Sequence, residues 1–155
     1  MLSDAHFIFG LYMTILSQYS NSKAPTYLFR MSVESGLNFL KNILKIEVPG
    51  ACHLDDVGYL FKNFSTPKIE PDSLEDLSIN RFVKLWTNFA KFGNPTPDEN
   101  DTLLKTVWKP VTNDNLDFLD IGRFLVARRN PYSDRIKFWK QLFAESPTGR
   151  KTLTS

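Results

Sequence analysis

Apolar residues along the chain fall into three helical patterns and one dense run. Near the start, Phe7, Ile8, Leu11, Tyr12, Ile15 and Leu16 recur three or four apart, the spacing of one helix face. Ser3 or Asp4 is suited to cap that helix, which fades by Ser20-Asn21-Ser22. After Pro25 the run "TYLFRMSV" (26–33) is short, aromatic and aliphatic, and is ended by Glu34-Ser35-Gly36, which predicts a buried strand. Residues 36–58 hold no long period, and Pro49-Gly50 marks a turn, so His53 lies on a loop after that strand. "DDVGYLF" fits a turn of helix or a short extended piece, and Gly58 weakens both.

The clearest helix covers about 72–92. Pro71 precedes it and Ser73 with Asp76 has capping-box spacing. Leu74, Leu77, Phe82, Leu85, Trp86 and Phe89 form its apolar face, and Gly93 with Pro95 stops it. "GNPTPDEND" reads as a surface loop, and "VWKPV" and "LDFLDIG" as short extended pieces. Pro131 opens a last helix through Tyr132, Ile136, Trp139, Leu142 and Phe143. One unit is expected over 1–145, with 146–155 a disordered tail. The fold class is α/β with one strong core strand; the later extended pieces are too short to supply a sheet. Several apolar helix faces then lack anything to cover them.

Composition narrows the class. A chain of 155 residues with 42% hydrophobic and 23% charged positions is long enough for one domain with a core and is not a disordered tail. A net charge of +2 points to neither nucleic acid nor a polybasic membrane ligand. Thirteen Phe, five Tyr and three Trp require a large surface to pack against. A single cysteine rules out an internal disulfide. The first apolar run is shorter than the roughly 20 residues of a membrane span. Asp4 stands where a signal peptide would be basic, and no cleavage site is clear. The expectation is a soluble chain without an address of its own, cytoplasmic rather than secreted.

Candidate chemistry centres on "GACHLDDVGYLF", Gly50 to Phe61. Ser35 in "VESGL" lacks both glycines of the G-x-S-x-G turn, so it does not read as a nucleophile. Cys52 adjoins His53, but neighbours on an extended chain point to opposite sides, so Cys52 reads as a small buried hydrophobe. His53, Asp55 and Asp56 are three potential ligands without a second histidine at ligand spacing, so no metal is assigned, and no phosphate- or dinucleotide-binding glycine motif implies a cofactor. From composition and spacing alone, a surface or hydrogen-bonded loop histidine stands ahead of a working one.

The order of landmarks shifts that balance. "GACHLDDVGYLF" resembles the catalytic-histidine segment of the type-B carboxylesterase and cholinesterase-like family, especially its α-esterase and juvenile-hormone-esterase-like branch. "SD" (3–4), "TYLFRMS" (26–32), "LWTNFAKFGNPTP" (85–97), "VWKPV" (107–111), "LDIG" (119–122) and "RIKFW" (135–139) agree in order. The resemblance implies the C-terminal part of an α/β-hydrolase fold, with the "TYLF" strand feeding the catalytic loop. His53 would be the triad base and Asp56, usually acidic in the family, a supporting residue. The serine, oxyanion loop and acid would lie upstream, since Glu34 follows the wrong strand to be the acid. No metal or cofactor is implied; the substrate of the intact enzyme would be a small-molecule ester. The chain alone would be inactive and would need the N-terminal part to fold. A non-catalytic cholinesterase-like binding or adhesion module is the alternative, and a free-standing domain binding through His53 and Asp55 a third.

Overall fold

Strands from the two halves of the chain meet in one mixed sheet: β1 (Leu28–Met31), β2 (Asp117–Ile121) and β3 (Leu125–Arg129), in the order β1-β2-β3. β1 runs parallel to β2, with Leu28 opposite Phe118 and Met31 opposite Ile121. β2 and β3 form an antiparallel hairpin with Asp117 opposite Arg129. This computed structural model describes residues 3–112 and 115–146. The tail expected over 146–155 therefore lies outside the described residues beyond Ser146. The helices are α1 (Phe9–Asn21), entered through a π-turn over Asp4–Ile8, then α2 (Phe39–Leu44), α3 (Val57–Leu60), α4 (Leu74–Phe92) and α5 (Ser133–Glu145).

Side-chain alternation along the strands decides the layers. Phe29 and Met31 share a sheet face with Leu119 and Ile121, and α4 packs Phe82, Leu85 and Trp86 against it. Phe29 meets Trp86 edge-on at 5.1 Å and Trp86 stacks on Phe82 at 5.2 Å. Leu28, Arg30 and Phe118 point the other way, toward Ile15 of α1 and Ile136 of α5. Phe9 joins these two helices by packing on Phe143 at 5.8 Å. Each fully buried large apolar side chain, such as Phe82 or Leu119, contributes about 1.5–3 kcal/mol.

α4 follows its sequence signals. The Ser73 hydroxyl accepts from Asp76 N, and Gly93 closes the helix at φ 65°. The Asp76 carboxylate reaches back to Asp72 N at 3.2 Å, so the capping box is completed one residue early.

Elsewhere the structure corrects the sequence reading. Among the described residues the sheet has three strands, not one. β1 is half-buried, whereas β2 is the buried centre, because it has neighbours on both sides. β3 escaped prediction because its exposed Arg128 and Arg129 give an edge strand no apolar period. "VWKPV" forms no strand: Trp108 Nε1 donates to the Leu28 carbonyl at 2.9 Å and Val111 N to that of Thr26 at 2.8 Å, tying it across the start of β1. Neither Ser3 nor Asp4 caps the first helix, since Ser3 is itself helical and Asp4 is buried against Arg135. Pro131 does not open α5; left-handed Tyr132 (φ 58°) precedes its first residue, Ser133.

The uncovered apolar faces expected from the sequence are present. β1 has one sheet neighbour among the described residues, and beside it lies a cleft of about 470 Å³ lined by Tyr27, Trp86, Phe89 and Trp108. Phe61, Phe64, Phe92 and Phe124 are exposed.

Candidate active-site loop

The segment holding His53 is fastened to the end of β1. Ser32 N and Val33 N both donate to the Ile121 carbonyl, at 2.9 and 3.0 Å, so the chain leaves the sheet in a fixed direction. Glu34 comes next. One of its oxygens accepts from Lys41 Nζ at 2.7 Å and the other from Gly50 N at 2.8 Å, while Lys41 Nζ also donates to the Gly50 carbonyl at 2.7 Å. Lys41, and then the Gly50 amide, hold the Glu34 carboxyl below the usual carboxylate range. Gly50, at φ 102°, has the backbone conformation that favours glycine. With both oxygens engaged, Glu34 works as a clasp for the entry to the loop.

A buried polar network supports the loop from beneath. Asp55 is fully buried; Oδ2 accepts from Cys52 N at 2.7 Å and Asn38 Nδ2 at 3.0 Å, and Oδ1 from Lys41 N at 3.0 Å. Asn38 Nδ2 also donates to the Val33 carbonyl, and its Oδ1 accepts from Ser35 N and from the Tyr59 hydroxyl at 2.7 Å. Burial raises the Tyr59 phenol to about 12, so it stays a neutral donor. The Ser35 hydroxyl lies 2.9 Å from that phenol oxygen and accepts from Leu37 N. Paired buried polar groups avoid the penalty of about 1–3 kcal/mol that each would incur alone.

On this support stands a tight turn. Asp55 N donates to the Cys52 carbonyl at 3.2 Å, which leaves His53 and Leu54 as the central residues, Leu54 left-handed at φ 70°. The His53 imidazole is exposed at the tip and stacks on Phe7 at 5.0 Å with the planes 30° apart. Among the described residues no hydrogen bond to the imidazole is recorded, so of the surface or hydrogen-bonded loop histidine of the sequence reading, the surface form is the one seen. Cys52 is half-buried rather than packed away; its backbone N–H is the part that the loop uses. Asp56 is half-buried at the start of α3, its carbonyl accepting from Tyr59 N and its side chain making no cap. Asp55 therefore makes the loop-holding contacts, and Asp56 stands beside it. Among the described residues, no group of three or more His, Cys, Asp or Glu side chains is placed to hold a metal ion.

Sequence reasoning passed over Asn38, Lys41, Tyr59 and Phe7. The one available signal was Gly58, a poor helix former inside a helical turn. A Cβ there would stand 1.9 Å from the Leu37 carbonyl oxygen, so α3 needs glycine to lie against that backbone.

A mixed sheet with helices on both faces and an exposed histidine on the loop after β1 is part of an α/β-hydrolase fold. Solved structures agree. Juvenile hormone esterase from Manduca sexta, with OTFP covalently attached, superposes with a TM-score of 0.74 at 24% identity, over 90% of this chain and 27% of its own. A Geobacillus stearothermophilus carboxylesterase superposes at 0.66 with 17% identity, over 89% of this chain and 26% of its own. The carboxylesterase family model matches residues 1–139, and the chain belongs to that family. Among its relatives are human bile salt-activated lipase (28% identical, 94% of this chain and 19% of the relative) and esterase B1 of Culex pipiens (26%, 92% and 27%). Rat pyrethroid hydrolase Ces2e is 31% identical over 90% of this chain and 23% of its own length. The chain thus spans about a fifth to a quarter of the length of these relatives. No helix among the described residues is long and apolar enough to cross a membrane.

Proposed function

We propose that this chain contributes the general base of a serine carboxylic ester hydrolase, with His53 as that base. The observation that carries the reading is an exposed imidazole at the tip of a turn whose backbone is pinned by Asp55, in a member of the carboxylesterase family. His53 would take the proton of a serine hydroxyl as it attacks the ester carbonyl, pass it to the departing alcohol, then activate water against the acyl-enzyme. Asp55 supports the turn from inside, and Asp56 would support it through its backbone carbonyl, which accepts from Tyr59 N at the head of α3. The serine, the oxyanion donors and the acid would come from the remainder of the enzyme. That remainder would cover the free edge of β1 and the cleft beside it, and the chain would depend on it to fold.

The test is hydrolysis of a p-nitrophenyl ester by the complete gene product. Turnover should be lost in His53→Ala, since an absent base removes on the order of 10²–10⁴ in rate. The 155-residue chain alone should show no histidine-dependent turnover. Full activity of His53→Ala in the complete protein would refute the assignment.

A further inference from the structure

We infer that Phe7 is a positioning residue for the His53 imidazole, fixing the plane of the ring through its face; this rests on His53 being the base. A histidine on a turn is located by its backbone only as far as Cβ, and its two side-chain torsions remain to be set. Here Asp55 pins the turn's backbone, but no hydrogen bond to the ring is recorded among the described residues. Its recorded ring contact is Phe7, at a centroid separation of 5.0 Å and 30° between planes, inside the range for offset aromatic pairs.

Phe7 is itself held by construction. It lies in the π-turn Asp4–Ile8, where the wider spacing departs from the α-helix that follows. That turn is anchored at its first residue: Asp4 is buried, and both its oxygens are gripped by Arg135 of α5, one through Nε at 3.0 Å. Arg135 in turn lies over the Tyr132 ring at 4.7 Å. Phe9, one residue past the turn, packs on Trp139 and Phe143. α5 thus holds the segment that presents Phe7 to a ring 46 positions further along the chain. Phe7 is about half exposed, so burial of its own surface does not account for the placement. A hydrocarbon face suits the task because it restrains the ring without occupying either nitrogen, leaving one for the triad acid and the other for the serine proton.

The experiment compares Phe7→Leu, Phe7→Tyr and His53→Ala with the unaltered complete gene product on a p-nitrophenyl ester. Leu keeps the apolar bulk without the flat face; Tyr keeps the face. Phe7→Leu should lower kcat about tenfold while KM stays within about twofold, because a misplaced base slows the chemical steps rather than binding. Phe7→Tyr should retain most of the activity, and Tm should be common to both variants. Acylation and deacylation should slow together in Phe7→Leu, since one imidazole serves both. Unaltered kcat in Phe7→Leu, or equal losses in Leu and Tyr, would overturn the inference while leaving His53 as the base. Retained turnover in His53→Ala would instead remove the reading on which it rests.

Discussion

Replacing Gly58 by alanine should dismantle the support under His53. Helix propensity alone favours the change, by roughly 0.5–1 kcal/mol for alanine over glycine in a helix. The structure opposes it. A Cβ on residue 58 would lie 1.9 Å from the Leu37 carbonyl oxygen, where real Cβ atoms essentially never come within 3.0 Å. The obstacle is backbone, so α3 would have to retreat by about 1.1 Å from residues 37–38. The next residue is Tyr59, whose hydroxyl lies 2.7 Å from Asn38 Oδ1 and 2.9 Å from Ser35 Oγ. That retreat stretches both bonds past useful length and strands buried groups at about 1–3 kcal/mol each. The expected net loss is about 3 kcal/mol, several times the propensity gain. Hydrogen exchange read by mass spectrometry on the complete gene product, over peptides covering 34–61, should show lost protection at Lys41 and Cys52 N–H. Esterase turnover should fall with it. Protection and turnover equal to those of the unaltered protein would refute the close-approach argument.

Two further substitutions probe the same framework. Asp55→Asn places an NH₂ group among three donors, so at least one of Lys41 N, Cys52 N or Asn38 Nδ2 loses its acceptor; a drop of about 1–3 kcal/mol in denaturant unfolding is expected, and an unchanged midpoint contradicts it. Asp120, in β2, links the sheet to acid stability: burial pushes its carboxyl up, but Arg30 and then the Ser32 hydroxyl outweigh that and hold it below the ordinary 3.8. A depressed carboxyl contributes stability above its unfolded value, and that contribution is lost as pH falls through the folded value, below 3.8. Asp120→Asn should therefore be less stable at pH 7 and lose less between pH 5 and 3, read from urea midpoints; parallel losses in both proteins would argue against it.

The parts legible in the sequence are those whose causes are local. α4 could be read because Ser73, Gly93 and a 3.6-residue apolar stripe each act within a turn or two of chain. β1 could be located, but its half-burial could not, because that depends on β2 lying 90 residues away and on an edge with no strand beside it among the described residues. β3 is held by its hairpin to β2 rather than by an apolar face, and Arg128 and Arg129 hide it. His53 stood out by its place among ordered landmarks. The residues that build its turn did not, because Asp55 and Asp56 are the same residue type side by side. Which one faces inward follows from the left-handed Leu54 and from Asn38, 17 positions earlier.

The loop and the rest of the molecule stand in opposite states of completion. From Val33 to Tyr59 the polar bonds close on one another: Glu34 with Lys41 and Gly50, Asn38 with Val33, Ser35, Tyr59 and Asp55, Asp55 with Lys41 and Cys52. These bonds lie within the segment, which is tied outward through Val33 N to the Ile121 carbonyl and through Gly36 N to Glu75. The apolar surfaces are the reverse: among the described residues the β1 edge, the cleft by Trp86 and Trp108 and several phenylalanines are left open. The proposed role of His53 as a base would call for this division. Short-range bonds within one segment would hold the backbone of the turn through each arrival and departure of substrate, while the ring itself rests on Phe7. Assembly would tolerate looser means, with non-directional apolar burial bringing the proposed partner groups up to it.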